Sequence, residues 1–380
     1  AYRLSLSWSR ILPEGVGKVN AKGIAFYDRL FDEMLKQGVE PWVTLFHWDY
    51  PYDLFCKGGW LNRDSVDWFY DYAVLVGKKF GDRVKNWMTL NEPQCFIGLG
   101  HRDGTHAPGL KLGWSEVLRA AHHAMMAHGA AVKALRANCK CKPTIGYAPV
   151  GVSRMPKDEG NKRDVAAARK SAFSDSYKGL WNNTWWMDPI FCGEYPKDGL
   201  KMFADHLPPV KNGDMKLISQ PLDFLGANIY SGAVMEAGKD GEPVEVKLPI
   251  GPELTAVKWP VLPKALYWGP KFLYERYKKP IVVTENGLSC HDWISLDGKV
   301  HDAQRIDFLH RYIREFKRAS ADGVPVKGYF QWSIMDNFEW ADGYKQRFGL
   351  VYVDYASQRR IPKDSAYWYK SVIESNGNNL

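Results

Sequence analysis

"VKNWMTLNEP", residues 84–93, decides how the rest of the chain is read. An apolar, strand-like run ends on Asn91-Glu92 and is then clamped by Pro93, which cannot continue a ladder of backbone hydrogen bonds. A glutamate at the end of a buried strand must be paired, protonated or put to use. "IVVTENG", residues 281–287, repeats the arrangement: a strand-like run closes on Thr284-Glu285-Asn286 and a glycine. Two strands remote in sequence therefore both end on a glutamate beside an asparagine.

Working outward, β-rich runs alternate with longer helical patterns. The strand-like runs are "YRLSLSW", "EPWVTLFHW", "VKNWMTLN", "PTIGYAPV", "LDFLGANIY", "PIVVTEN" and "VKGYFQWS". Helical patterns fill residues 20–37, 64–80, 114–137, 163–181, 264–278 and 302–320, and a last one, "KDSAYWYKSVIES", follows the final strand. Strand–helix alternation over the whole length argues for parallel βα units. A doubly wound open sheet should show a glycine-rich phosphate turn after an early strand, and none is present. The expected fold is a TIM (β/α)8-type barrel with seven of its eight βα units in this chain. No Pro/Gly/Ser linker interrupts residues 1–380, so one catalytic domain is expected. Insertions at 97–113, 149–162 and 231–262 follow strands, where a barrel carries its working loops.

Composition narrows the function. The chain of 380 residues is 45% hydrophobic and 25% charged, the balance of a globular domain. Aromatic residues reach 14%, with 16 Trp, several of them near strand ends or in loops, where flat faces suit stacking on a sugar ring. The formal charge of +8 is scattered, without the basic stripe of a nucleic-acid module. The six cysteines show no disulfide-framework or zinc spacing. His122 and His128 are six residues apart, which does not stack them on one helical face, so "AHHAMMAH" reads as structural and no metal or cofactor is expected. No run is long and apolar enough to span a bilayer, and no signal peptide is read at the start, so a cytoplasmic setting is expected.

In a parallel barrel every strand's C-terminal end meets one rim, where active sites are built. Glu92 and Glu285 at that rim suit glycoside hydrolysis: one carboxyl protonates the leaving oxygen while the other attacks or activates water. A separation of about 5 to 5.5 Å means retention through a covalent intermediate, and a wider one inversion.

"TLNEP" and "VTENG", with "LSLSWSRILPEG" before them and "WSIMDNFEWADGYKQRFGLVYVD" after, resemble glycoside hydrolase family one, the retaining β-glucosidases, along essentially the whole chain. The resemblance implies that Glu92 is the general acid/base and Glu285 the nucleophile. It implies that Arg10, ending the first strand, lies beside Glu285, and that Tyr230 hydrogen-bonds it. It further implies that His47 and Trp48 contact sugar hydroxyls, that Asn91 bonds the 2-hydroxyl, that Glu339 and Trp340 hold the distal hydroxyls, and that Trp332 is the platform beneath the ring. Asn228 and Phe348 belong to the same pocket, and Trp259 is an aglycone-side wall or a core residue. Glu339 would repel a phosphate dianion, so a neutral glucoside, galactoside or fucoside is favoured.

Family members begin with a strand and helix ahead of "AYRLSLSWSR", and the expectation is that this first unit is absent. That leaves a second function open, a non-catalytic glycoside- or aromatic-binding barrel remnant. The expected partners are small neutral β-glycosides or oligosaccharides, with no nucleic acid and no membrane. The macromolecular expectation is a homo-oligomer or a chain supplying the missing unit.

Overall fold

The computed structural model describes residues 1–174 and 178–380. Every strand-like run contains a strand. The first compact unit, Ala1–Val150 with Phe173–Ala227, holds β1 (Tyr2–Ser5), β2 (Pro41–Phe46), β3 (Asn86–Asn91), β4 (Thr144–Ala148) and all of β5 (Phe224–Asn228) but its last residue. These pair in parallel and in chain order, Leu4 opposite Val43, Val43 opposite Trp87, Trp87 opposite Ile145 and Tyr147 opposite Leu225. All six residues of β3 are buried, the mark of a parallel strand covered on both faces.

The helices α1 (Ala21–Lys36), α2 (Ser65–Phe80) and α3 (Trp114–Asn138) follow β1, β2 and β3. In α1 the Asn20 side chain accepts the Lys22 N–H, capping the helix start, while Ile24, Tyr27, Phe31 and Met34 recur at helical spacing and are buried. Around Trp8 an aromatic cluster forms the floor of this unit: its ring stacks on Tyr72 at 5.2 Å and meets Phe69 at 5.4 Å.

The second unit, Gly151–Ala172 with Asn228–Leu380, holds α4 (Lys162–Ala172), α5 (Ala265–Tyr277), β6 (Ile281–Asn286), α6 (Ala303–Ala321), β7 (Val326–Gln331) and α7 (Asp364–Glu374). β6 and β7 are parallel, with Val283 opposite Tyr329, and β6 is buried at every residue. Immediately after β6, Gly287 is required by packing rather than by its dihedral angles. A Cβ there would stand 2.0 Å from the Trp332 carbonyl oxygen.

The expected helices at 20–37, 64–80, 114–137, 264–278 and 302–320 match to within one residue at each end. The pattern over 163–181 yields a helix that stops at Ala172; residues 175–177 lie outside those described. The insertions carry structure that periodicity did not reveal. A π-helix spans Gln94–Asp103, and a small sheet joins Ser153–Pro156, Gly232–Ala237 and Pro243–Glu245.

Candidate active site

Asn91 is the hub of the first unit's contribution. Its side-chain oxygen accepts a hydrogen bond from Arg3 Nη2 at 2.7 Å, its amide nitrogen stands 3.2 Å from His47 Nε2, and its backbone oxygen accepts from Trp48 Nε1 at 2.9 Å. Residues from β1 and the turn after β2 thus converge on one fully buried asparagine at the end of β3. Glu92 follows it, 8% exposed, with its N–H bonded to the Ala148 carbonyl and its φ at +42°. A non-glycine residue in that conformation is strained and held there by its surroundings. Trp48 (φ +83°) and Trp340 (φ +45°) share the property, so three of the seven such residues among those described are expected site residues. Gln94 closes the rim by exchanging two hydrogen bonds with the Val150 backbone, which ties the turn after β3 to the chain after β4.

In the second unit Glu285 is 5% exposed, and its Oε2 accepts a hydrogen bond from the Tyr230 hydroxyl at 2.8 Å. The chain just beyond β5 lies alongside β6: Ile229 N donates to the Glu285 carbonyl, Thr284 Oγ1 to Asn228 Oδ1 at 2.6 Å, and Asn286 Nδ2 to the Ile229 carbonyl. Tyr329 on β7 donates in turn to Asn286 Oδ1. The nucleophile candidate is therefore immobilised on both sides. Tyr230, Trp259 and Phe348 form an aromatic wall, with ring centroids 5.3 Å apart for Tyr230–Trp259 and 6.2 Å for Tyr230–Phe348. Trp259 keeps 42% of its surface exposed, which favours a wall over core packing.

Trp332 Nε1 donates to Glu339 Oε2 at 3.4 Å. Burial, then the negative charges of Glu285 and Asp342, push the Glu339 carboxyl up to about 7, against the pull of the Trp332 hydrogen bond. The loop that carries Glu339, Trp340 and Phe348 is anchored by Asp336, which accepts from Arg347 Nη1 (2.6 Å), Gly349 N (3.0 Å) and Lys363 Nζ (2.8 Å).

A model for glycosyl hydrolase family 1 matches residues 1–378. The chain belongs to glycosyl hydrolase family 1. This family 1 chain is 44% identical to "Beta-glucosidase A" of Thermotoga maritima over 99% of its own length and 83% of that protein's. It is 41% identical to "Beta-glucosidase A" of Acetivibrio thermocellus over the same shares. It superposes on a solved structure, "Beta-glucosidase from Thermotoga maritima in complex with glucoimidazole", with a TM-score of 0.88, covering 99% of this chain and 83% of that one. It is a glycoside hydrolase with the TIM-barrel fold. The family model starts at residue 1, which does not confirm the expected absence of a first βα unit.

Arg10 is a correction. It does not end the first strand of this family 1 barrel: β1 stops at Ser5, and Ser7, whose side chain accepts the Arg10 N–H, caps a four-residue helix, Trp8–Ile11. The Arg10 guanidinium lies over the Phe26 ring of α1, 4.8 Å from its centroid. A first-strand cation that sequence reasoning passed over is Arg3, which donates to Asn91. In the alternation of "YRLSLSW" Arg3 falls in line with Ser5 and Ser7 on the polar side, so the pattern carried no signal that it meets a buried partner.

The histidines of "AHHAMMAH" are in hydrogen bonds: His122 with Tyr195 and Asp214, His123 with the Trp60 carbonyl, His128 with Thr89. No helix among the described residues is long and apolar enough to cross a membrane.

Proposed function

We propose that this chain is a retaining β-glucosidase, one catalytic domain that removes terminal non-reducing β-D-glucosyl residues from small neutral β-glycosides. Glu285 is the nucleophile and Glu92 the general acid/base. The observation that carries the reading is the buried Glu285 carboxyl, aligned by Tyr230 beneath an aromatic wall in a chain of family 1. The names of the Thermotoga and Acetivibrio relatives favour a glucoside as substrate.

In the first half-reaction a Glu285 oxygen forms a bond to the anomeric carbon as the bond to the leaving oxygen breaks. Glu92 gives that oxygen its proton. In the second, the Glu92 carboxylate takes a proton from water, whose oxygen attacks the anomeric carbon and expels Glu285. Asn91, its amide turned by Arg3 and His47, is oriented to bond the sugar 2-hydroxyl, a contact that strengthens as positive charge develops on the ring. His47, Trp48, Asn228, Trp332, Glu339, Trp340 and Phe348 complete the glucose pocket, and Trp259 lines the aglycone side. Glu339, half-buried with its carboxyl raised to about 7, accepts from or donates to the distal hydroxyls.

Hydrolysis of an aryl β-glucoside by the unaltered chain and by Glu285→Gly tests this. The variant should be inactive in buffer and should form α-glucosyl azide when azide is added, because azide occupies the vacated nucleophile position. A chain that binds glucose without turnover would overturn the proposal in favour of a binding barrel.

A further inference from the structure

We infer that Cys95 is a positioning residue for the Glu92 carboxyl: its thiol holds Oε2 and fixes the rotamer from which the carboxyl delivers and recovers the catalytic proton. The inference deepens the acid/base reading of Glu92 and rests on it.

The geometry is local and doubly tied. Cys95 Sγ lies 3.0 Å from Glu92 Oε2 and donates to it, while Cys95 N donates to the Glu92 carbonyl at 2.9 Å. The thiol is buried, 6% exposed. The turn that begins at Pro93 brings the Cys95 side chain back onto the carboxyl. The positive φ of Glu92 and the π-helix Gln94–Asp103 that follows are the backbone features that make this return possible. Wide π turns of this kind gather at functional sites.

A carboxyl free to turn presents its proton to the leaving group in only some orientations, so a contact that holds one rotamer favours transfer. A thiol suits the task because it is a weak donor. It fixes the rotamer without locking the carboxyl in its charged form, which the first half-reaction must avoid.

The test compares kcat/KM for two glucosides in Cys95→Ala, Cys95→Ser and the unaltered chain. One is 2,4-dinitrophenyl β-glucoside, whose leaving group departs without a proton. The other is 4-methylphenyl β-glucoside, whose leaving group needs one. Cys95→Ala should lose roughly 5- to 10-fold on the methylphenyl substrate, a modest share of what general acid catalysis supplies, and less than about 2-fold on the dinitrophenyl one. Cys95→Ser, which keeps a hydroxyl donor, should recover most of the loss and serves as the second variant should Ala fold poorly. Equal losses on both substrates would mark a merely structural cysteine, and no loss on either an idle one; both overturn the inference. Glu92→Gln is the control for the underlying reading. It must show the same substrate split, larger. A Glu92→Gln enzyme with no split removes the acid/base assignment itself, whatever Cys95 does.

Discussion

Replacing Glu339 by Gln should flatten a pH-dependent loss of stability. Burial and the neighbouring negative charges raise the folded Glu339 carboxyl from 4.5 to about 7. A group raised in this way binds more protons folded than unfolded between those two values. Stability therefore falls as pH climbs from about 4.5 to about 7 and levels off above. At 1.36 kcal/mol per unit, the full shift corresponds to about 3 kcal/mol. Glu339 is half-buried, and solvent screening reduces the loss to about 1–2 kcal/mol. Gln keeps an oxygen for the Trp332 indole N–H but cannot ionise.

The assay is urea unfolding of both proteins at pH 5, 6, 7 and 8. Taking the difference between the two proteins at each pH cancels every other titrating group. Glu339→Gln should match the unaltered chain at pH 5 and exceed it by about 1–2 kcal/mol at pH 8. Adding Glu285→Gln to both should shrink the gap, because the Glu285 charge is one of the causes of the shift. Parallel profiles with a constant offset would refute the reasoning, since the carboxyl would then ionise alike in the folded and unfolded chain.

Tyr230→Phe removes a hydrogen bond to Glu285, and the loss of such a bond to a charged group should lower kcat for an aryl glucoside by about 10- to 100-fold while the fold survives, as circular dichroism would record. Asp336→Ala strips a partner from Lys363 and Arg347, both held in its network, and should cost about 3–5 kcal/mol of stability, read by thermal or urea unfolding. Burial lowers His123 to about 4 and His128 to about 3, so each binds fewer protons folded than unfolded. Stability should then fall as pH drops below about 6.5, and His128→Gln should soften that acid limb in urea titrations.

Much of this was legible in the sequence because the βα units are locally consistent. Ile24, Tyr27, Phe31 and Met34 announce α1 through their spacing, Asn20 announces its start, and the short apolar stretches Trp87-Met88 and Ile281-Val282-Val283 announce β3 and β6. The ends of those strands, where the pattern yields Asn91-Glu92 and Glu285-Asn286, are what drew attention to the candidate site. Arg10 misled because the polar–apolar alternation of "LSLSWSR" runs on past Ser5, where the capping Ser7 turns the chain into a helix. Alternation reports which residues face inward, and a single cap decides where the strand stops. The return of Cys95 to Glu92 was beyond reach for a different reason: it depends on a π turn and a positive φ, neither of which has a sequence period.

These exceptions share a backbone property. Trp48, Glu92 and Trp340 each carry a backbone conformation that their side chains disfavour, at about 1–3 kcal/mol apiece. None of the three is a turn glycine that could relax at no cost. Strain persists only where surrounding bonds over-determine it. Trp48 and Glu92 meet that condition through the Asn91 carbonyl and the Ala148 carbonyl, and the 339–343 turn through the Glu339 N–H bonded to the Gly343 carbonyl at 2.7 Å. The core that periodicity reveals supplies the rigidity, and the rim where periodicity fails uses it to aim particular side chains. A substitution that relaxed Glu92 into ordinary helical dihedrals would therefore stabilise the chain locally while turning its carboxyl away from Cys95, which makes stability and turnover opposed at this residue.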